Sequence, residues 1–516
     1  MNILTIDIKT RSALSLQSVG VFAYAEHDST VPVCFVLQEN NDAPAVWLPP
    51  ELCRADIAGI SNGTLLRMLE RADRIEAFDI MTELAFWKYT LCRLFPWFPP
   101  VPLKKFCCIA AKAAQWGMPF SLRDLADELG VSCNSRRTGI VNWKIPAPGR
   151  AIPTAELVNF LERCKDNVAL EHRVSMRLMD LPPEKWEVWR TFAAINDTGV
   201  AIDNDRLQEV RRRQEQEYSQ FKEEFQAVTG LPSPMQEIKV LPYFQEHGVP
   251  LRSLALEEMQ KVLPTLDNGL VKRALELRCL IVENLRKSPG PLQQMLSKDC
   301  RLRGMLNTGS APEQLWSIKH KNLLPVLFDV MRPGDGRQFR TARFPDLAEC
   351  VLVWLVHHTC RSVGIYSHQL LAACGEAVRK QGIFISFGQL KIICTGRSLK
   401  IKLPSDRELI LYQPQWDEQS GLSCKQCQNR HTVRQQISGG FLLRQIHNAL
   451  QQDILTYSVV RLKNAGHTPV LVTQDTIVCC DGKSTAADDS FTEIIRGKPP
   501  WAQRIPYRVT HDMKQK

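Results

Sequence analysis

"SGGFLLRQIHNALQQDILTYSVVRLKNAGHTPVLVTQDTIVCC", residues 438–480, decides how the rest of the chain is read. Its first part carries apolar residues at helical spacing and predicts one long helix. "TPVLV" and "TIVCC" then read as two strands with the polar turn residues Gln474 and Asp475 between them. Upstream, "LKIKLPSDRELILY" (399–412) reads as a hairpin, so the region beyond residue 301 is mixed helix and strand. At the other end, "ILTIDI" (3–8) and "VPVCFVLQ" (31–38) read as strands. "GTLLRMLERADRIEAF" (63–78) predicts a helix running toward a strand end, and "TAELVNFLERCKDNVALEHRVSMRLM" (154–179) a long helix. Residues 1–180 are therefore expected to form an α/β domain. A Pro-Pro turn in "DLPPEKWEVW" (180–189) precedes a charged helix that runs through "RRRQEQEYSQFKEEFQ", and residues 181–300 read as mostly helical.

The chain has 516 residues, enough for two to four domains, and a formal charge of +10. Residues 301–516 hold 29 Lys and Arg against 17 Asp and Glu, so the basic surplus lies in this C-terminal part. A nucleic-acid surface is first sought there, beside the plainer reading of a solvated basic face. The seventeen cysteines follow no repeat and include the adjacent pairs Cys107-Cys108 and Cys479-Cys480. This is not a secreted disulfide framework. With no apolar run long enough to span a bilayer, a soluble protein of a reducing cytoplasm is expected.

Three collinear segments carry a resemblance: "DIKTRS" with "VGVFAYAEHDST", "LPPEKWEVWRTFAAINDTGVAID", and the tail from Ser438 through "PPWAQRIPYRV". Together they resemble a phage-type family A DNA polymerase with an N-terminal 3′→5′ exonuclease domain. The resemblance implies a ribonuclease H-like α/β exonuclease-like domain at 1–180, a helical linker and thumb-like region at 181–300, and a reduced α+β polymerase palm at 301–516 with the fingers largely deleted.

Exonucleases of this group hold two Mg²⁺ between four carboxylates, one metal activating water and the other stabilising the leaving oxygen. The first motif is Asp-x-Glu on a strand, whose period of two sends both acids to one face. Here it reads Asp7-Ile8-Lys9. The second, "FDIMTE", keeps Glu83, while the third, "RCKDN", has Asn167 where the family has Asp. Asp166 does not replace it, because one residue along a helix turns a side chain about 100° away. Two of four acids remain, Asp7 and Glu83, so Mg²⁺ is the implied cofactor with half its ligand set missing. Lys9 either repels a metal there or pairs with Asp7 in its place. A plainer reading leaves Asp7 and Lys9 as strand-end residues on a solvated rim.

The resemblance also implies a two-metal polymerase site. "ARFPDLAECVLVWL" matches the first polymerase motif at Ala342, Phe344, Val351, Leu352, Trp354 and Leu355. In that register Arg343 replaces the metal-binding Asp, Ala348 the Glu below the sugar, and Cys350 a later Arg. The second motif, usually His-Asp-Glu, becomes Gln474, Asp475 and Thr476, so one carboxylate persists. In "SAPEQLWSIKHKNLLP" Gln314 and Leu315 replace a Gly-Arg, and "SGGFLLRQ" brings Phe441, Arg444 and Gln445 in place of family residues. Between "ARFPDLAECVLVWL" and "TGRSLKIKLPS" there is room for two helices, too little for a triphosphate-binding fingers domain.

Arg397, Lys400, Lys402 and Arg434 are expected to meet DNA phosphates, against the alternative of an exposed hairpin balanced by Asp406 and Glu408. "CKQC" at 424–427, with His431 nearby, is half a zinc pattern and reads as a loop with thiols. The reading is a degenerate polymerase homologue that binds DNA, primer-template or a 3′ end, as an accessory or regulatory subunit in phage or mobile-element replication or in bacterial defence. An active polymerase or another replication or defence protein is the implied protein partner, and no membrane is involved. The alternatives are a residual metal-dependent 3′→5′ exonuclease, a partner-binding scaffold without DNA contact, and a decaying prophage gene.

Overall fold

In the computed structural model, residues 1–516 are described apart from 101, 120, 133–145, 268, 312–313, 335, 358, 361, 429–430 and 515–516. The chain divides into two compact units. One comprises Met1–Gly199, Arg303–Lys319 and Pro333–Lys516, the other Val200–Leu302 and His320–Arg332.

The larger unit starts with a five-stranded sheet of order β3-β2-β1-β4-β5, with β1 spanning Ile3–Arg11, β2 Val31–Glu39, β3 Ala45–Trp47, β4 Arg74–Ala77 and β5 Phe106–Cys108. β1 is central, antiparallel to β2 and parallel to β4. Its alternation decides what each face receives. Leu4, Ile6 and Ile8 enter a core with Phe22, Phe35 and Trp87. Thr5, Asp7 and Lys9 turn to the other face, where they lie opposite Gln38, Val36 and Cys34 of β2. The helix Thr154–Arg177 covers that face, with Leu157, Phe160, Leu161, Cys164 and Val168 packed on Val33, Cys34 and Val36.

Two more sheets belong to this unit. A four-stranded antiparallel sheet runs in the order Pro469–Val472, Thr476–Gly482, Arg337–Arg343, Thr510–Lys514. The helix Gly439–Asn464 precedes its first hairpin, as the opening stretch predicts. Ser438 starts that helix, its hydroxyl accepting from the Phe441 backbone N–H at 3.1 Å. Replacing Ser438 by Ala is expected to cost about 1 kcal/mol in a urea titration, the usual loss of an N-terminal cap.

The third sheet is a six-stranded antiparallel meander from Ile385–Phe387 to His431–Gln436. The 399–412 hairpin is its centre, Ser398–Lys402 pairing with Glu408–Asp417. Cys424 belongs to the strand Gly421–Gln428 rather than to the expected loop, because the meander continues past the hairpin. The side chains of Cys427 and His431 lie outside the described residues. Between the helix Leu347–His357 and the strand Leu390–Thr395, the described elements are one helix, Val363–Arg379, and the short strand Ile385–Phe387. A second correction concerns residues 183–198. The Pro-Pro turn does not separate "EKWEVW" from "RTFAAINDT"; Pro183 opens a single helix to Thr198, as suits a proline in a first turn.

The smaller unit is mainly helical. Asp203 caps the helix Asn204–Thr229, which ends at Gly230 in the left-handed region (φ 71°). It packs with the helix Leu270–Arg286 around Phe225, Phe244, Met259, Leu275 and Ile281. Among the described residues, no helix is long and apolar enough to cross a membrane.

Candidate functional site

Two clusters of site residues lie in the larger unit. The first forms where β1 passes beneath the helix Thr154–Arg177. Lys9 Nζ stands 2.7 Å from Asp7 Oδ1, and the Asp7 side chain is 5% exposed against 34% for Lys9. Asp7 Oδ2 is buried without a hydrogen-bond partner. Glu83 is buried on the helix Ile80–Ala85, and Asp79 stands at that helix's start.

Glu171 joins them from the covering helix. Its Oε2 accepts from the Phe78 N–H at 3.0 Å. Burial pushes the Glu171 carboxyl up to about 8, with Asp7 adding to the rise and Lys9 opposing it. Burial, then Asp7, likewise hold Glu83 well above the usual carboxylate range. Burial raises Asp79 too, against the pull of Lys319. Lys9 is pressed down by burial, but Asp7, Cys164 and Glu83 more than reverse this and keep it charged. The result is one ion pair, Asp7 with Lys9, beside a Glu171 carboxyl that keeps its proton at neutral pH.

The residues present do not fit a pair of Mg²⁺ ions. Hard divalent cations need several free oxygen ligands, whereas an ammonium already faces Asp7 Oδ1. Among the described residues, no three His, Cys, Asp or Glu side chains are arranged to hold a metal.

Sequence reasoning missed Glu171. It lies four residues beyond Asn167 on one helix, and both are buried. The signal for it is the spacing of four, which puts Asn167 and Glu171 on one helix face.

The second cluster sits at one end of the four-stranded sheet. Arg343 ends its strand opposite Thr476, and the Phe344 N–H donates to the Asp475 carbonyl at 2.7 Å. The structure thus brings Arg343, Gln474, Asp475 and Thr476 together. Asp475 Oδ1 accepts from the Thr473 and Thr476 hydroxyls at 2.9 and 3.0 Å. Ala348 is exposed, and its carbonyl accepts from His447 Nε2 at 2.6 Å. Asp346, the nearest other acid in the 342–355 segment, is turned to Arg508, whose N and Nε donate at 2.9 and 3.0 Å. Those bonds hold its carboxyl below the usual range. The matched frame is buried at Ala342, Phe344, Val351, Trp354 and Leu355. The side chains of Gln314 and Leu315 lie outside the described residues, whereas Trp316 is buried, stacked on Phe192 and donating to Thr456 Oγ1 at 3.2 Å.

Each expected phosphate contact already has a partner within the chain. Arg397 Nη1 is 3.1 Å from Glu128, Lys402 Nζ 2.8 Å from Asp406, and Lys400 Nζ 3.6 Å from Glu408. Arg434 Nη1 donates to the Gln413 carbonyl at 3.1 Å and to Ser423 Oγ at 3.3 Å. The Lys402–Asp406 pair is exposed on both sides, and pairs of that kind are weak and exchange readily for a phosphate.

No protein-family model matches the chain. Over 421 residues, 69% of its length, it is 24% identical to the DNA polymerase of Bacillus phage SP02. The match takes in 61% of that relative, so the chain spans about three fifths of its length. Among solved structures, the POL domain of Pol1 from M. smegmatis, in complex with DNA primer-template and dNTP, is similar with a TM-score of 0.60 at 12% identity. That likeness covers 99% of this chain and 94% of the other. Both likenesses, one of sequence and one of fold, are to DNA polymerases.

Proposed function

We propose that this family A DNA polymerase-like chain binds DNA without synthesising or trimming it, as an accessory or regulatory subunit in phage or mobile-element replication or in bacterial defence. On this reading the β1–β5 region is a ribonuclease H-like exonuclease remnant at 1–180. Residues 181–300 are a thumb-like region and 301–516 a palm with reduced fingers. The protein works in a reducing cytoplasm, in keeping with the thiol state of the cysteines among the described residues.

The observation that carries the reading is the Lys9–Asp7 pair at 2.7 Å inside a cluster of buried carboxyls. A divalent ion about 4 Å from that ammonium would be opposed by roughly 1–4 kcal/mol per unit charge at effective dielectrics between 80 and 20. Hydrolysis of a phosphodiester by this class of site depends on such ions. Arg343 beside Asp475 repeats the logic at the other cluster, with a guanidinium where a carboxylate would be needed. DNA binding is supported by the basic surplus beyond residue 301 and by a structural neighbour solved with primer-template.

The test is an end-labelled primer-template incubated with the full chain, Mg²⁺ or Mn²⁺ and all four deoxynucleotides. The primer is expected to keep its length, while gel retardation reports binding that weakens steeply with salt. Extension of the primer would overturn the reading. Shortening would favour the residual exonuclease, for which the unpartnered Asp7 Oδ2 is the one specific observation.

A further inference from the structure

Glu128 ends the helix Leu122–Glu128, and its carboxylate, 11% exposed, faces the six-stranded meander of the same unit. Three donors from the sheet converge on it. Arg397 Nη1, from the turn before Ser398–Lys402, approaches Oε1 at 3.1 Å, and Gln413 Nε2 donates to the same oxygen at 2.7 Å. Lys425 Nζ reaches Oε2 at 3.4 Å. Burial and then a hydrogen bond with Glu128 hold the Tyr412 hydroxyl up at about 12. Arg434 pairs across the strands with Lys425 and donates to the Gln413 carbonyl. Three cations and two neutral donors therefore lie in or beside the ring around one carboxylate.

The ring is shaped by the backbone. Gln413 has φ 44°, the left-handed region that side-chain-bearing residues rarely enter, and strand pairing slips between Tyr412 and Gln415. Such a bulge re-aims a side chain, here the amide that meets Glu128.

A carboxylate and a phosphodiester each offer one negative charge and two exposed oxygens to arginine, lysine and amide donors. We propose that Arg397, Gln413, Lys425 and Arg434 form a subsite for a backbone phosphate of DNA, and that Glu128 occupies it in the free protein as an internal competitor. The inference rests on the DNA-binding reading above. Competition is strong because the chain leading into that helix is held at the sheet. The Trp116 ring lies under Lys400 Nζ at 5.2 Å, and Gly117 packs so closely that a Cβ there would stand 2.7 Å from the Ile410 carbonyl. A tethered carboxylate acts at high effective concentration, and a phosphate enters only as Glu128 rotates out.

Fluorescence anisotropy of a labelled primer-template, titrated with the full chain at several salt concentrations without divalent ions, separates the possibilities. Glu128→Gln keeps size and one acceptor oxygen but removes the charge. It is expected to bind roughly fivefold tighter than the parent, with the slope of log K against log salt steeper by roughly 0.9, one further phosphate on a duplex. Adding Arg397→Ala and Lys425→Ala to Glu128→Gln should abolish that gain. Should Glu128→Gln fail to fold, Trp116→Ala loosens the chain that leads into the Glu128 helix without altering charge and should shift affinity in the same direction. A folded Glu128→Gln protein with the parent's affinity and slope would overturn the subsite while leaving DNA binding in place. Absence of binding by the parent and every variant would overturn both.

Discussion

At pH 8 the Glu171→Gln variant is expected to outlast its parent in urea by about 2–4 kcal/mol, while near pH 4.5 the two unfold together. The sign comes from the direction of the shift. Burial, with Asp7 adding, raises the Glu171 carboxyl in the folded chain from 4.5 to about 8. Below the unfolded value both states hold the proton and the group costs nothing. As pH rises toward 8, the unfolded chain releases a proton that the folded chain retains, so stability falls by up to roughly 1.4 kcal/mol per pH unit. Glutamine cannot release it, yet keeps a carbonyl for the Phe78 N–H that Glu171 Oε2 now accepts at 3.0 Å. Glu83 is shifted in the same direction, so the variant should retain a shallower pH slope of its own. Parallel stability curves for the two proteins from pH 4.5 to 8 would mean that Glu171 is ionised in the folded chain. One ammonium would then have to balance more than one buried carboxylate.

What the sequence made legible was local. Alternation in "ILTIDIK" placed Asp7 and Lys9 on one face of β1, and their contact at 2.7 Å is a consequence of that period. The apolar frame of 342–355 set a register that puts Arg343 beside Thr476, because burying Ala342 and Phe344 leaves the residue between them exposed. The rest depended on partners far along the chain. Asp346 is engaged by Arg508, 162 residues away, and Arg397 by Glu128, 269 residues away. No spacing rule reaches across such separations. Glu171 was hidden for a different reason: a family motif directs attention to one helical position, whereas the physics of a helix face accepts an acid one turn further on. "CKQC" read as a loop with thiols because half a zinc pattern has no second pair in the sequence, but the continuing meander pairs this segment's backbone on both sides.

Lys9→Glu is expected to be the most destructive single change in this cluster, and its rescue the most informative. The substitution removes the cation that pairs with Asp7 and sets a further acid on the same strand face, next to Glu83 and Glu171. Breaking a buried pair costs about 3–5 kcal/mol; with the Lys9 side chain 34% exposed, a loss of about 2–4 kcal/mol is expected in EDTA. If the ammonium stands where a cation is wanted, a divalent ion should now replace it. Mn²⁺ at a hundredfold over its dissociation constant would return about 2.7 kcal/mol to the variant, and the parent, whose ammonium repels it, should not respond. Equal responses of parent and variant to Mn²⁺ would sink the idea that Lys9 excludes the ion. The primer assay then divides what remains. Asn167→Asp combined with Lys9→Glu supplies the two acids the resemblance finds missing, and trimming by that folded, Mn²⁺-stabilised protein would mean that charge alone silenced the site. Inertness of the same protein would place the loss deeper, in the backbone that carries Asp7, Glu83 and Glu171, and would make the cluster a cation-held brace of the fold rather than a nuclease awaiting its metals.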